Sequence, residues 1–421
     1  MTPNPVARPI RRREFLAGGA ALIAAGSAPP GPGRPRVAGI TTVYHHNSHA
    51  DMIIGRVLEG YNLDGRGEFP SIDLASLYLD QRPETDKGVR LARDRGVPLA
   101  ATVAEALTLG TGRLAVDGVL LVAEHGKYPR SPIGSTMYPK RRLFGEVAEV
   151  FRRDGRAVPV FLDKHLSDNR EDIAWIHRTA RELGVPMMAG SVLPVSRRDP
   201  PEDVGAGETL AAILAVSYHT LDAYGFHALE IVQCLAERRK GGESGVRSVR
   251  STTGPEVWKA LESGGVDREL LAEALARCPG RRTTPDELSG KVPEPVLWRF
   301  EYVDGLRATV LTLNGAVGAW SAAWRGGGGK VRSTGFDTGE TRPMMHFAGQ
   351  VRGIELMIRT GRPAWPVDRT LLTSGILEAL LTSGAEGGRE VATPHLAVAY
   401  RSDWAWSQPP PYPPGRPLDG P

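Results

Sequence analysis

Only two cysteines, Cys234 and Cys278, stand in 421 residues. They are too few for a disulfide scaffold and too far apart for a Cys-x-x-Cys redox or zinc unit. No apolar run reaches the ~20 residues a membrane-spanning helix needs, so the mature chain is expected to carry no transmembrane segment. A surplus of one charge sign is missing too: 52 Lys and Arg face 48 Asp and Glu, a net of +4. Four Arg and one Glu of that balance lie in the first 28 residues, leaving +1 for the rest. So small a charge excludes a basic nucleic-acid-binding surface.

What is present starts at the N-terminus. Arg11, Arg12 and Arg13, then Glu14, Phe15 and Leu16, precede a small-residue apolar run from Ala17 to Ala25 and then Gly26, Ser27 and Ala28. This order predicts a twin-arginine signal over residues 1–28, with the twin-arginine translocase as partner and a periplasmic or extracellular destination. Residues 29–35 (PPGPGRP) form neither helix nor paired strand and read as a linker. Residues 407–421 are Pro-rich and predict an extended or disordered tail.

Between these ends, β-branched runs alternate with helical-period stretches. Strands are expected over 37–43, 72–79, 97–100, 118–123, 158–163 and 186–189, and helices over 48–60, 84–95, 103–109, 140–153 and 170–183. Such alternation predicts an α/β, Rossmann-like domain over 36–200, a doubly wound parallel sheet with helices on both faces. The pattern changes in residues 201–406. A long helix over 222–239 is followed by strands over 246–252, 296–302, 306–313 and 318–324, with Val303, Asp304 and Gly305 as a hairpin turn. That predicts an α+β domain with an open, mainly antiparallel sheet carrying helices on one face, a sheet that could pair in a homo-oligomer. Gly326 to Gly329 read as a flexible connection. Final helices over 347–360 and 369–382 can pack back on the first domain.

Three stretches, in this order, resemble the Gfo/Idh/MocA family of glucose-fructose oxidoreductase and inositol dehydrogenase relatives. Residues 158–166 (VPVFLDKHL) look like the family's strand ending in Glu-Lys-Pro, with Lys164 at the active-site lysine. Residues 224–230 (YGFHALE) look like its Gly-x-His-x-x-Asp segment, which puts His227 at the catalytic histidine. Residues 361–383 are similar to its closing helix. The resemblance spans most of residues 36 to 383. It implies an NAD(P)-binding oxidoreductase acting on a sugar, cyclitol or related polyol at the crevice between domains.

Two departures qualify what the resemblance implies. The family places G-x-G-x-x-G at the first βα turn, where missing Cβ atoms admit the pyrophosphate. Here the turn runs Gly39, Ile40, Thr41, Thr42, Val43, Tyr44, His45, His46, Asn47, Ser48, His49, and its bulky side chains obstruct a dinucleotide in the ordinary pose. Gly39, Thr41 and Ser48 remain as cofactor-side candidates. Ser48 and Asp51 form a capping box whose helix keeps its positive end for an anion. Asp80, after the second strand, could serve as the ribose-binding acid. The second departure is at Ala223, four residues before His227, where an orienting acid is usual; the nearest acid is Asp222.

Lys164 ends a nearly continuous apolar strand, which places it at the crevice where open α/β sheets bind ligands. A lysine desolvated there polarises a carbonyl or shuttles a proton. His227 is the general-base candidate because imidazole titrates near neutrality. Substrate-binding candidates are His45, His46, Asp163, His165 and His125, the last beside Glu124 after the strand over 118–123. His45 and His49 have i, i+4 spacing, but the helix starts only at Ser48, so no metal is expected. Trp298, Trp320 and Trp324 can serve packing or sugar stacking. Three classes stay open: a sugar or polyol oxidoreductase, a glycosidase or lyase that oxidises transiently with held NAD, and a carbohydrate-binding protein that has lost the dinucleotide.

Overall fold

The computed structural model describes residues 33–280, 283–339 and 341–418, so the signal segment and most of the linker lie outside the described residues. The first half alternates strand and helix: β1 (Arg36–Thr41), α1 (His49–Glu59), β2 (Asp73–Leu79), α2 (Gly88–Asp94), β3 (Leu99–Ala100), α3 (Val103–Thr108), β4 (Gly118–Val122), α4 (Lys140–Asp154), β5 (Val160–Asp163), α5 (Arg170–Glu182) and β6 (Met187–Gly190). The sheet order is β3-β2-β1-β4-β5-β6 and every pair is parallel. Strands β4 and β5 are buried along their whole length, because helices cover both faces of a parallel sheet. The order reverses between β1 and β4. A ligand crevice opens beyond the C-terminal ends of strands at such a switch point.

The second half contains β7 (Arg197–Asp199), β8 (Leu210–Ser217), α6 (Ala223–Ala236), β9 (Val246–Thr253), α7 (Pro255–Glu262), α8 (Arg268–Leu275), α9 (Leu288–Lys291), β10 (Val296–Tyr302), β11 (Arg307–Thr312), β12 (Trp320–Gly326), β13 (Val331–Asp337), α10 (His346–Thr360), α11 (Val367–Ala385) and β14 (Val391–Ala392). They form an eight-stranded sheet, β14-β9-β10-β11-β8-β12-β13-β7, in which only β11 and β8 run parallel. Val303 to Gly305 turn β10 into β11 as expected, but β8 slots between β11 and β12, so those two never pair.

Helices cover both faces of this sheet, where one was expected. The apolar stripe of α8, Leu270, Leu271, Ala274 and Leu275, buries with Leu214, Leu311 and Ala323 on the face opposite α6. Gly326 to Gly329, expected to be a flexible connection, turn β12 tightly into β13, with Gly328 and Gly329 at φ +76° and +84°. α6 is buried on almost every side, between the large sheet and α11. A Cβ on Gly225 would lie 2.5 Å from the Trp298 ring, so this glycine sets how closely α6 approaches the sheet.

The described part of the Pro-rich tail is extended and docked. Gln408 exchanges two hydrogen bonds with the Arg198 backbone, at 3.0 and 2.9 Å. Arg416 pairs with the Arg342 backbone, and the Leu418 carbonyl accepts from His46 and Asn47 at 3.0 Å each. Among the described residues, no helix is long and apolar enough to cross a membrane.

Candidate functional site

The ends of three parallel strands deliver the polar groups: Glu124 and His125 beyond β4, Asp163 to His165 at β5, and Ser191 beyond β6. Opposite them stand the first turns of α6, Trp320 of β12, and His346 and Phe347 opening α10. Lys164 adopts a left-handed backbone (φ +57°) and exchanges backbone hydrogen bonds with Gly190, 3.2 Å each way. Gly190 is itself at φ +115°, and a Cβ there would meet the Glu230 carboxylate at 2.6 Å. Lys164, His227, Trp320 and His346 are between 5% and 8% exposed, so each is all but buried.

Glu124 is the electrostatic centre. Its carboxylate lies 2.8 Å from the Lys140 ammonium and 3.5 Å from that of Lys164. Burial alone would raise the Glu124 carboxyl, but Lys140 and Lys164, with His165 and His49, hold it well below the carboxylate range. Burial likewise works against the Lys164 ammonium. Glu124, Asp163 and Asp222 outweigh it and raise its pKa, so Lys164 stays charged. Lys140 also donates to the carbonyls of Asp163 and His165, at 3.2 and 2.8 Å, tying the ends of β4 and β5 together. His165 is buried against Phe226 with both ring nitrogens unpartnered; burial and then Lys140 push its pKa down to about 4.

His227 Nδ1 lies 2.5 Å from Ser191 Oγ, which also accepts from the Leu193 N–H at 3.1 Å. Assigning the serine's single proton to the imidazole Nδ1 places the His227 proton on Nε2. Burial first, then Lys164, holds His227 well below the ordinary histidine value. The ring therefore presents an N–H donor. Trp320 lies 5.3 Å from it and stacks on Tyr224, whereas Trp298 packs beneath Gly225 and Trp324 lies in the core beside Arg332. Of the three, only Trp320 lies beside His227. Asp222 accepts from the Thr136 N–H at 2.9 Å, while its other carboxylate oxygen is buried without a partner. This acid braces the 124–140 loop and supports the Lys164 charge.

Of the remaining expected site residues, His125 borders these groups and the others serve the fold around them. Gly39 is inside β1, where a Cβ would meet Leu74, Leu77 and Ile54 at 3.1 to 3.3 Å, so it serves packing between strand and helix. The Thr41 hydroxyl faces the Val43 and Val122 carbonyls, and Ser48 caps α1. Asp80 accepts from Tyr128 at 2.7 Å, Tyr78 at 3.0 Å and Arg142 at 2.5 Å, which leaves little capacity for a ribose. His45 and His125 meet edge to face at 5.2 Å, and His125 is driven to about 3 by burial, then by His49. His46 is turned toward the tail. Lys140 and Ser191 carry no motif in the sequence. Among the described residues, no three His, Cys, Asp or Glu side chains are grouped to hold a metal.

The positive end of α1 is already served by an anion of the chain's own. Asp51 is fully buried and accepts from the Asn47 N–H at 3.0 Å, Lys87 at 2.7 Å and Arg342 at 2.8 Å. Tyr44 wedges inward beside it: a Cβ on Gly88 would meet the Tyr44 Cβ at 2.9 Å, and one on Gly55 its hydroxyl at 3.0 Å. With the tail carbonyl bound by His46 and Asn47 next to these groups, the residues of this turn do not fit a dinucleotide pyrophosphate in the fold's ordinary pose.

No family model matches the chain, and no curated protein matches it significantly. Solved structures do match, at low identity. The NAD complex of GenD2 from gentamicin A biosynthesis is 16% identical with a TM-score of 0.55, covering 88% of this chain and 99% of that one. Scyllo-inositol dehydrogenase from Lactobacillus casei is 10% identical with a TM-score of 0.54, covering 86% and 98%. Aldose-aldose oxidoreductase from Caulobacter crescentus, complexed with glycerol, is 15% identical with a TM-score of 0.50, covering 85% and 99%. The chain has the fold of these proteins along nearly their whole length.

Proposed function

We propose that this chain is an enzyme of oxidoreductase type that takes a sugar, cyclitol or related polyol in the crevice between its two sheets. The observation that carries this reading is that Lys164, held charged by Glu124, and His227, paired through Nδ1 with Ser191, come from the two different sheets' elements and lie near enough for the Lys164 charge to lower the His227 pKa. Two donors on one substrate oxygen stabilise the charge that develops there when its proton leaves or its carbonyl is polarised. Trp320, next to His227, adds an aromatic edge to the site. The solved neighbours, which include an inositol dehydrogenase and an aldose oxidoreductase, support this substrate class.

The fold suggests NAD(P), yet Asp51 with Lys87 and Arg342 stands at the turn where its pyrophosphate would sit. That observation favours a second reading, in which the polyol site works without net redox as a lyase or glycosidase, or only binds. Native mass spectrometry of the purified, folded chain, combined with turnover of inositols and aldoses, separates them. Retained NAD(P) with polyol oxidation establishes the first reading. Release or rearrangement of a sugar without reduced cofactor establishes the second. Binding without either leaves a carbohydrate-binding protein.

The arginine pair and apolar run of residues 1–28 also support export of the folded chain through the twin-arginine route. Replacing Arg12 and Arg13 by Lys is expected to retain the precursor in the cytoplasm. Normal export of that double variant refutes the assignment.

A further inference from the structure

The site as built has donors but no evident base. Lys164 stays protonated and His227 presents N–H, its Nδ1 being taken by Ser191. His165 and His125 are buried or half-buried rings pushed to about 4 and about 3, too weakly basic to take a proton near neutrality.

His49 differs from all of these. It is the first residue of α1, and its Nδ1 lies 2.6 Å from Oδ2 of the buried Asp163, the last residue of β5. A carboxylate accepts only, so the neutral imidazole carries its proton on Nδ1 and keeps its lone pair on Nε2. No described residue bonds that Nε2. The ring is held edge-on against Phe347 at 5.1 Å and beside His125 at 5.3 Å. His49 also acts electrostatically on Glu124, His227, His346 and His125, which places it among the crevice groups.

We propose that His49, oriented by Asp163, is the general base of the site; this rests on the polyol reading above. The His49 Nε2 lone pair takes the proton of a substrate hydroxyl. The O–H bond breaks, an N–H bond forms, and the electron pair stays on the oxygen as an alkoxide facing the Lys164 ammonium. Asp163 accepts from Nδ1–H throughout and stabilises the imidazolium. The charged and titratable groups around it are Asp163 and Lys164 at the end of β5, Glu124 and His125 after β4, His227 on α6 and His346 on α10. A histidine thus occupies the helix start that a dinucleotide phosphate would otherwise use.

The test is imidazole ¹⁵N NMR on the full folded chain, with His49 assigned through His49→Gln, followed by kinetics on the polyol turned over. The expected spectrum at pH 8 is a neutral Nδ1–H tautomer, lost in Asp163→Asn. His49→Gln is expected to lower kcat about 100-fold or more. Its KM should stay within threefold of wild type, and the acidic limb of the pH profile should flatten. An Nε2–H tautomer at His49, or a His49→Gln variant with wild-type rate and pH profile, overturns the proposal. Absence of turnover with every polyol sinks the functional reading instead, and the tautomer then decides the geometry of His49 independently.

Discussion

At the scale of single residues, the interior carboxyls respond to pH in opposite directions. Glu230 accepts from Thr373 and from the Ser191 N–H inside a fully buried pocket, and burial pushes its pKa from an ordinary 4.5 to about 7. A carboxyl raised on folding contributes its stability fully below pH 4.5 and loses it as the pH climbs through about 7. Glu230→Gln removes that dependence. Between pH 5 and pH 8, urea unfolding should shift in the variant's favour by on the order of 3 kcal/mol. Parallel stability profiles for the two proteins would rule this out. Glu124 has the reverse sign, being held ionised by Lys140 and Lys164, so it weakens the fold only as the medium turns acidic. Lys164 and His227 could be picked out by their places at a strand end and on a helix. Lys140 and Asp163 could not be assigned their present parts, because the bonds of Lys140 to two strand ends and of Asp163 to His49 join residues separated by up to 114 positions.

At the scale of elements, α6 carries His227 to the crevice, and its depth is set by Gly225. A methyl group there meets Trp298 ring atoms at 2.5 and 2.7 Å, so the helix or the indole must move. Gly225→Ala is therefore expected to cost about 1–3 kcal/mol, read as a lower melting temperature. It should also weaken polyol binding through the displaced His227. An unchanged melting temperature means the indole yields freely. The strands and helices of the first sheet were legible because apolar runs, Gly stops and caps such as Ser48 and Asn169 mark them locally. In the second half, β8 and α8 went unread. β8 is an eight-residue, Ala-rich strand whose partners β11 and β12 lie about a hundred residues on, and nothing local signals that pairing.

At the scale of the whole molecule, two sheets make up the fold, and the described tail runs from Arg198 to the α1 turn along its own chain. The sequence already departed from the dinucleotide pattern at residues 40–48. What it could not disclose was that Arg342, nearly three hundred residues away, would join Lys87 in supplying Asp51 with its counter-charge. In the proposed function, Lys164 and His227 form a polyol site. Calorimetric titration of the folded chain with myo-inositol, scyllo-inositol and glucose, beside Lys164→Ala and His227→Ala, measures it most directly. At least one of these polyols should bind the wild type, and each variant should lose tenfold or more in affinity while keeping its melting temperature within a few degrees. No binding by the wild type, or affinities unchanged in both variants, would contradict the account.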